Sequence, residues 1–423
     1  MEKQGLIDLS ELKPRNYDTF FLKRNPFPGI GVPSDTIPFT VDREDIKKRF
    51  TETIAELQEN ETGLITVLIG DYGSGKSHLL KLFKQSVNTY LLSQNPGILA
   101  VYVKSPGEDF GEFFSQFIDD IGRSLLTAYS QEIFKEYFIS HRSESLKHFS
   151  TDELKAILIE NKYEIGDMIK KSRYLDLFNA IKNEKFSDIG SNDLVYAFLS
   201  LSHPDLSTRA WKWFLMDKID KKDYREHLLI ESPIDNEKIA YVVFKNLTRL
   251  LNLLKIQSLV ILVDELEKIG SLSPSQKRID YQEQLRTLID DYPKNLCLFF
   301  AIAPTQWDEL TKTSTAFIRR LAGTWARLDD FKKEDTKELI ETYLHFSRVK
   351  NYNSQKVREK FPDCEPSLCP FTKDSIDSIQ QESDGRVSRV LMLCRKSLEY
   401  LYDHQEKYKS INSSLIKDLQ NGR

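Results

Sequence analysis

Eight consecutive residues, Gly70-Asp71-Tyr72-Gly73-Ser74-Gly75-Lys76-Ser77, fit the pattern G-x-x-x-x-G-K-[ST]. The apolar run Leu64-Ile65-Thr66-Val67-Leu68-Ile69 leads in, and His78-Leu79-Leu80-Lys81-Leu82-Phe83 follows. The loop therefore sits between a strand and a helix, the setting that separates a phosphate-binding loop from a chance glycine-rich turn. Its glycines let backbone N–H groups turn toward one point, and a helix opening near Gly75 adds the positive end of its dipole. An anion is expected there. Lys76 would reach the β- and γ-phosphates of a nucleotide, the Ser77 hydroxyl would ligate Mg²⁺, and the stretch from Gly70 to His78 would line the bound group.

Phosphoryl chemistry also needs a carboxylate for the metal and a group to prepare the nucleophile. Ser258-Leu259-Val260-Ile261-Leu262-Val263-Asp264-Glu265 reads as a buried strand ending in two acids. Asp264 is expected to complete the metal's shell, on a strand beside the phosphate-loop strand. Glu265 would orient and deprotonate an attacking water, which suits hydrolysis better than transfer to a bound hydroxyl and makes a kinase the weakest reading. Glu267 and Lys268 read as solvated, with Glu267 within possible reach.

A further strand, Leu296-Cys297-Leu298-Phe299-Phe300-Ala301-Ile302-Ala303, ends at Pro304-Thr305-Gln306. Thr305 or Gln306 is placed to bond the γ-phosphate or the lytic water; the alternative is that Thr305 merely caps a helix starting near Trp307. In Phe317-Ile318-Arg319-Arg320-Leu321, either arginine could act as a finger supplied to a neighbouring subunit, against the alternative of ordinary exposed guanidinium groups. Arg386 and Arg389, after Gly385, are three apart and share a helix face from which either could reach the nucleotide; a solvated helix start is the competing account.

Around these groups the chain alternates strand and helix. A helical pattern through Ile46, Phe50, Ile54 and Leu57 leads to the phosphate-loop strand. Ile98 to Val103 is a second strand, giving a parallel βαβ unit. Phe110 to Tyr129 is helically spaced, and the stretch to about 250 continues so, as a helical insertion. The Asp264 strand and the one after it lack alternation, as strands covered on both faces should. After about Asp330 the pattern is helical, with Leu339, Ile340 and Leu344 in one helix and Val387, Val390, Leu391 and Cys394 in another. Asn25 to Pro33 is too rich in proline and glycine to be helix. The expected divisions are a lead-in with the first helix over 1–60, a nucleotide-binding domain over 61–330 with its insertion at about 125–250, and a helical lid over 331–423.

At 423 residues, 40% hydrophobic and 29% charged, the chain can bury two or three sizeable cores. Its formal net charge of −4 does not advertise nucleic acid or membrane, so any such contact must be a local patch, for instance of Lys332-Lys333, Arg386, Arg389 and Arg395-Lys396. No apolar run approaches membrane-spanning length, and Met1 to Asp8 lacks the core of a signal peptide. Four cysteines make no disulfide framework, and together these features predict a cytoplasmic protein without membrane partners. Cys364 and Cys369 have half the spacing of a zinc site, with no second close Cys/His pair to complete it.

These parts in this order resemble the AAA+ superfamily. Val41-Asp42-Arg43-Glu44 precedes the first strand; the Walker A loop, Walker B Asp264-Glu265, a polar sensor position at Thr305, the paired arginines and a lid with Gly385 and Arg389 follow. The likeness is to the group holding Orc1/Cdc6 initiators, ExeA-type ATPases and TnsC/TniB-type transposition regulators. Leu206-Ser207-Thr208-Arg209-Ala210-Trp211-Lys212-Trp213-Phe214, Ile234-Asp235-Asn236 and the strand from Ile256 to Glu265 are further similar to P-loop ATPases of BREX phage-defence systems, the BrxC/BrxD type. Trp211 and Trp213 themselves read best as core packing. Two departures stand out: such families often carry Asn where Pro304-Thr305-Gln306 lies, and where initiators carry a C-terminal winged helix the roughly fifty residues after Pro370 read as lid.

The resemblance implies an α/β fold with a parallel sheet flanked by helices, ATP and Mg²⁺ as cofactors, and slow or partner-stimulated ATP hydrolysis. It further implies assembly into homo-oligomers in the ATP state and work as a switch or remodeller in a DNA-directed defence or mobile-element complex, with direct DNA contact possible. The insertion would recruit a protein partner. The alternative is a STAND-like signalling or scaffold protein, favoured by long helical inserts, that holds ATP as a structural switch with little turnover.

Overall fold

The computed structural model describes residues 15–29, 39–60, 63–141, 165–171, 174–217, 224–273, 275–292, 294–312, 316–321 and 325–422. Ile30 to Pro33 of the proline-rich turn, Met1 to Asp8 and part of the insertion lie outside them. The described elements are α1 (Glu44–Asn60), β1 (Leu64–Gly70), α2 (Lys76–Tyr90), β2 (Gly97–Val103), α3 (Phe110–Ile121), α4 (Arg123–Ser140), α5 (Ile165–Lys171), α6 (Tyr174–Lys185), α7 (Asn192–Ser200), α8 (Ser207–Phe214) and α9 (Glu237–Leu253). After them come β3 (Ile256–Val263), α10 (Glu267–Gly270), α11 (Ser275–Asp291), β4 (Leu296–Ile302), α12 (Pro304–Lys312), α13 (Ala316–Leu321), β5 (Trp325–Leu328), α14 (Lys333–Phe346), α15 (Ser354–Lys360), α16 (Lys373–Ser383), α17 (Val387–Asp403) and α18 (Ser413–Gln420).

One five-stranded sheet has the order β2-β3-β4-β1-β5. The pairs β2/β3, β3/β4 and β4/β1 are parallel. The order corrects one expectation: β4, not β3, is the neighbour of β1, so the Asp264 strand lies one strand further from the phosphate loop. Two inter-strand spacings put the axes of β1 and β3 about 10 Å apart. Their carboxyl ends still share one sheet edge.

The chain forms two compact units. The larger comprises residues 48–69 and 80–326, the smaller 1–47, 70–79 and 327–423. In the larger, alternate strand residues (Val67 and Ile69, Val101 and Val103, Ile261 and Val263, Leu298 and Phe300) join a core closed by Phe110, Phe113, Phe114 and Phe117 of α3 and by Val243, Phe244 and Leu247 of α9. The opposite face meets Phe50 of α1 and Phe83 of α2, stacked at 3.8 Å, with Phe299 of β4 at 5.2 and 6.2 Å. Strands sandwiched this way need no polar face, which is why β3 and β4 read as unbroken apolar runs. The free edge of β2 is covered by side chains: the Asn88 amide bonds both the N–H and the C=O of Ala100, and Asp120 Oδ2 accepts from Tyr102 N.

Between β2 and β3 every described regular element is helical. The expected single helix from Phe110 is two, parted at Gly122, where φ is 84°. Trp213 is buried and donates its indole N–H to Ser232 O at 3.0 Å, a core role.

In the smaller unit, Tyr17, Phe20, Leu22, Phe27 and Val41 of the lead-in pack with Leu339, Ile340 and Leu344 of α14, Ile376 and Ile379 of α16, and Val390, Leu393 and Cys394 of α17. All four cysteines are buried and unpaired, and burial pushes the Cys297 thiol up to about 12. No helix among the described residues is long and apolar enough to cross a membrane.

Candidate nucleotide site

Within the smaller unit, the chain leaves β1 at Gly70, turns through residues 71–75 and enters α2 at Lys76. Gly73 and Gly75 have φ of 82° and 99°, values that L side chains rarely adopt. Gly73 is constrained twice over, because a Cβ there would lie 2.0 Å from Ser388 Oγ and 2.9 Å from Ser388 Cβ. The Ser388 N–H, in the first turn of α17, donates to Gly73 O at 3.1 Å. Lys76 is buried, and its Nζ donates to Gly70 O at 2.6 Å and Asp71 O at 3.1 Å, which curls the loop around the ammonium. The same Nζ lies 5.6 Å from the ring centroid of Tyr72, itself 64% exposed. His78 Nε2 bonds the Phe39 carbonyl at 2.8 Å and so ties the first turn of α2 to the segment before α1.

That segment holds a residue whose burial the sequence did not reveal. Asp42 and Arg43 have consecutive left-handed φ values of 57° and 72°, unusual for non-glycine residues. They drive Arg43 inward, where it is 6% exposed with its guanidinium 4.9 Å from the Phe331 ring centroid. Asp42 Oδ2 is 3.6 Å from NH1, while NH2 is buried without a hydrogen-bond partner. Burial lowers the pKa of this guanidinium. A charged residue among Asp42, Glu44 and Asp45 reads as surface; only the backbone geometry turns it inward.

Phe331 connects Arg43 to the lid. Its N–H donates to Gly385 O at 2.9 Å, and its carbonyl accepts from Gln380 Nε2 at 2.7 Å. Arg386 caps α17 with a buried Nε that has no hydrogen-bond partner, whereas Arg389 is exposed and bonds Asp384 Oδ2 at 3.3 Å. The two arginines expected on one face thus face different surroundings. Of the cationic groups from which a nucleic-acid patch was expected, Lys333 pairs with Asp377, and Arg395 with Glu399 at 3.1 Å and the Phe27 carbonyl at 2.9 Å.

In the larger unit, Asp264 follows β3 and is 3% exposed. Its Oδ1 accepts the N–H of Glu265 at 2.9 Å, and its Oδ2 accepts the Tyr102 hydroxyl at 2.9 Å. Glu265 has φ of 50°, in the left-handed region, and its Oε2 lies 2.5 Å from Lys268 Nζ. Glu267 is half-buried, not solvated as expected, with a buried Oε2 that has no hydrogen-bond partner. The helix after β4 starts at Pro304, earlier than expected, since proline's fixed φ and missing N–H suit a first helical position. Thr305 is therefore inside the first turn rather than its cap, exposed, with its hydroxyl on Gln306 Oε1 at 2.6 Å. Of the arginine pair, Arg320 donates to Asp290 Oδ1 at 3.1 and 2.8 Å, and Arg319 is exposed.

The residues present fit a magnesium nucleotide on their own chemistry. The loop has the positive-φ glycines that aim amides inward, Ser74 Oγ, Arg43 NH2 and Arg386 Nε are buried polar atoms without protein hydrogen bonds, and an acid pair ends β3. Leaving such donors unmet costs roughly 1–3 kcal/mol each, which a bound anion would offset.

Residues 195–383 match the family model described as BREX system ATP-binding protein BrxC/D. Residues 58–185 match the model described as AAA domain. The first match takes in the Arg209-Ala210-Trp211-Lys212-Trp213 segment and the acid pair, the second the phosphate loop, so both parts of the likeness read from the sequence are found again. Among solved structures, the chain is similar to the Aeropyrum pernix ORC2 protein in ADPNP-ADP complexes, at 11% identity and a TM-score of 0.46 over 94% of this chain and 71% of that one. It is also similar to the Aeropyrum pernix ORC1 protein in complex with DNA, at 10% identity and a TM-score of 0.46 over 92% and 67%. A third is Cdc6p from Pyrobaculum aerophilum, at 10% identity and a TM-score of 0.40 over 92% and 69%. Comparison with curated proteins finds no match. The fold is a parallel sheet flanked by helices, with a large helical insertion after β2 and a helical C-terminal region, and the AAA domain match takes in its first two strands and the phosphate loop between them.

Proposed function

We propose that this protein binds ATP with Mg²⁺ at the Gly70–Ser77 loop, hydrolyses it slowly, and uses the change as a switch within a DNA-directed assembly of the phage-defence or mobile-element kind. The observation that carries the reading is the loop itself, with two left-handed glycines curled around a buried ammonium. Lys76 would exchange its carbonyl bonds for phosphate oxygens, a charge-assisted gain. The Ser77 hydroxyl and the Asp264 carboxylate would hold the metal, which when bound neutralises charge on the transferring phosphoryl. Glu265 would orient water and accept its proton. Thr305 or Gln306 would sense the γ-phosphate, Arg386 would bond the nucleotide from the lid, and Arg319, Arg320 or Arg389 would supply a finger, in a homo-oligomer formed in the ATP state. Arg43, a buried donor on the segment before α1, joins this set.

The BrxC/D match supports the defence setting, in which the insertion docks a protein partner and DNA contact is tested by salt-dependent binding. The hydrogen bond from Ser388 to Gly73 favours a second reading, a STAND-like switch whose helical unit senses the loop with little turnover. Turnover decides. Wild type should hydrolyse ATP and Glu265→Gln should bind it as tightly while losing about a hundredfold or more in rate. Equal rates would remove Glu265 as the base, and no turnover with retained nucleotide would favour the switch.

A further inference from the structure

Tyr102 is on β2, next to β3, opposite Leu262. Its strand neighbours Val101 and Val103 fill the core under α3 and α9, so Tyr102 looks to the other face of the sheet. An apolar residue would serve there as well for packing; a phenol is called for only where its hydroxyl has a partner. That partner is Asp264 Oδ2, at 2.9 Å.

The backbone of Tyr102 is held through Asp120 and Lys84, and Lys81 faces its ring. Tyr102 N donates to Asp120 Oδ2 at 2.6 Å, Asp120 Oδ1 accepts Lys84 Nζ at 2.7 Å, and Lys81 Nζ stands 5.5 Å from the Tyr102 ring centroid. Lys81 and Lys84 lie one turn apart on α2, the helix that the phosphate loop opens. The other oxygen of Asp264 is held by the Glu265 N–H, so the protein grips each carboxylate oxygen once. A carboxylate has about four lone-pair sites, so these two hydrogen bonds leave capacity for a cation.

We propose that Tyr102 is the positioning residue for Asp264: its hydroxyl sets the carboxylate's rotation, and so the protein's affinity for a divalent cation, and links it to α2. The proposal rests on Asp264 being a metal ligand. Hydrogen bonds that orient metal-binding carboxylates are worth about 10–100-fold in metal affinity.

The test uses Mn²⁺ as a spin probe, titrated by electron paramagnetic resonance into full-length protein saturated with a non-hydrolysable ATP analogue. Metal-free affinity for a fluorescent nucleotide, in EDTA, serves as the check on folding. Tyr102→Phe keeps the ring and its contact with Lys81 and should weaken Mn²⁺ about tenfold or more with metal-free nucleotide affinity unchanged. Asp264→Asn should weaken Mn²⁺ at least as far. An unchanged Mn²⁺ affinity in Tyr102→Phe, beside a loss in Asp264→Asn, overturns the positioning role alone. Unchanged affinity in both overturns the role of Asp264 as well. An equal loss of metal-free nucleotide affinity in Tyr102→Phe shows a general structural role and also overturns the proposal.

Discussion

Replacing Gly73 by alanine should damage the loop through two separable effects. The first is conformational: φ of 82° costs an L residue about 1–2 kcal/mol. The second is steric, because the new methyl would sit 2.0 Å from Ser388 Oγ and 2.9 Å from Ser388 Cβ. Both cannot keep their places, so the Ser388 N–H bond to Gly73 O, worth about 0.5–1.5 kcal/mol, should break as α17 gives way. The sum is about 1.5–3.5 kcal/mol, or roughly 10- to 400-fold in nucleotide affinity if binding requires the wild-type loop. Ser388→Gly removes Oγ and Cβ together, so the double variant Gly73→Ala/Ser388→Gly should regain about 1 kcal/mol over the sum of the single effects. Fluorescent-nucleotide binding for the four proteins of this cycle provides the measurement. Additivity within about 0.5 kcal/mol would refute the contact between loop and helix.

Three other outcomes follow from the described contacts. Arg43→Met removes a buried guanidinium with an unmet donor, so thermal unfolding should show equal or higher stability while nucleotide affinity falls; a loss of both would mean that Arg43 is structural. His203 is buried, and its Nδ1 accepts the Asp205 N–H at 3.2 Å, so burial holds its pKa below the ordinary 6.5. The unfolded chain then takes up a proton that the folded one refuses, and stability drops as pH falls through 6.5; melting temperatures between pH 7.5 and 5.5 should decline less in His203→Gln, and parallel curves would contradict this. Arg320→Ala should cost about 1 kcal/mol or less in a denaturant titration and nothing further in an Asp290→Asn background, because the pair is largely exposed; additive losses would deny the pairing.

How far the sequence reaches can be seen in particular residues. Ile46, Phe50, Ile54 and Leu57 mark the buried stripe of α1, and all four are under 8% exposed. The runs that became β1 to β4 were legible because burial on both faces leaves no polar alternation to confuse them. By contrast β5 went unread: four residues with Trp325 and Arg327 outward and Ala326 and Leu328 inward are too few to show a period. Strand order was hidden too, since adjacency in the sheet depends on which core each crossover helix covers, not on the strands' own composition. The lead-in looked like loose connection for the same reason. Tyr17, Phe20 and Phe27 reveal themselves as core only when the helices they pack against are in place. At the site, the loop and the acid pair are local patterns and could be read directly. Arg43 and Tyr102 could not, because their meaning comes from a backbone kink and a neighbouring strand.

Isothermal titration calorimetry of ATP against the folded protein, with and without Mg²⁺ and beside Lys76→Ala, tests the nucleotide reading most directly. Saturable heat that strengthens with Mg²⁺ in wild type and collapses in Lys76→Ala is the predicted result. No heat from wild type, or equal binding by both proteins, would contradict it.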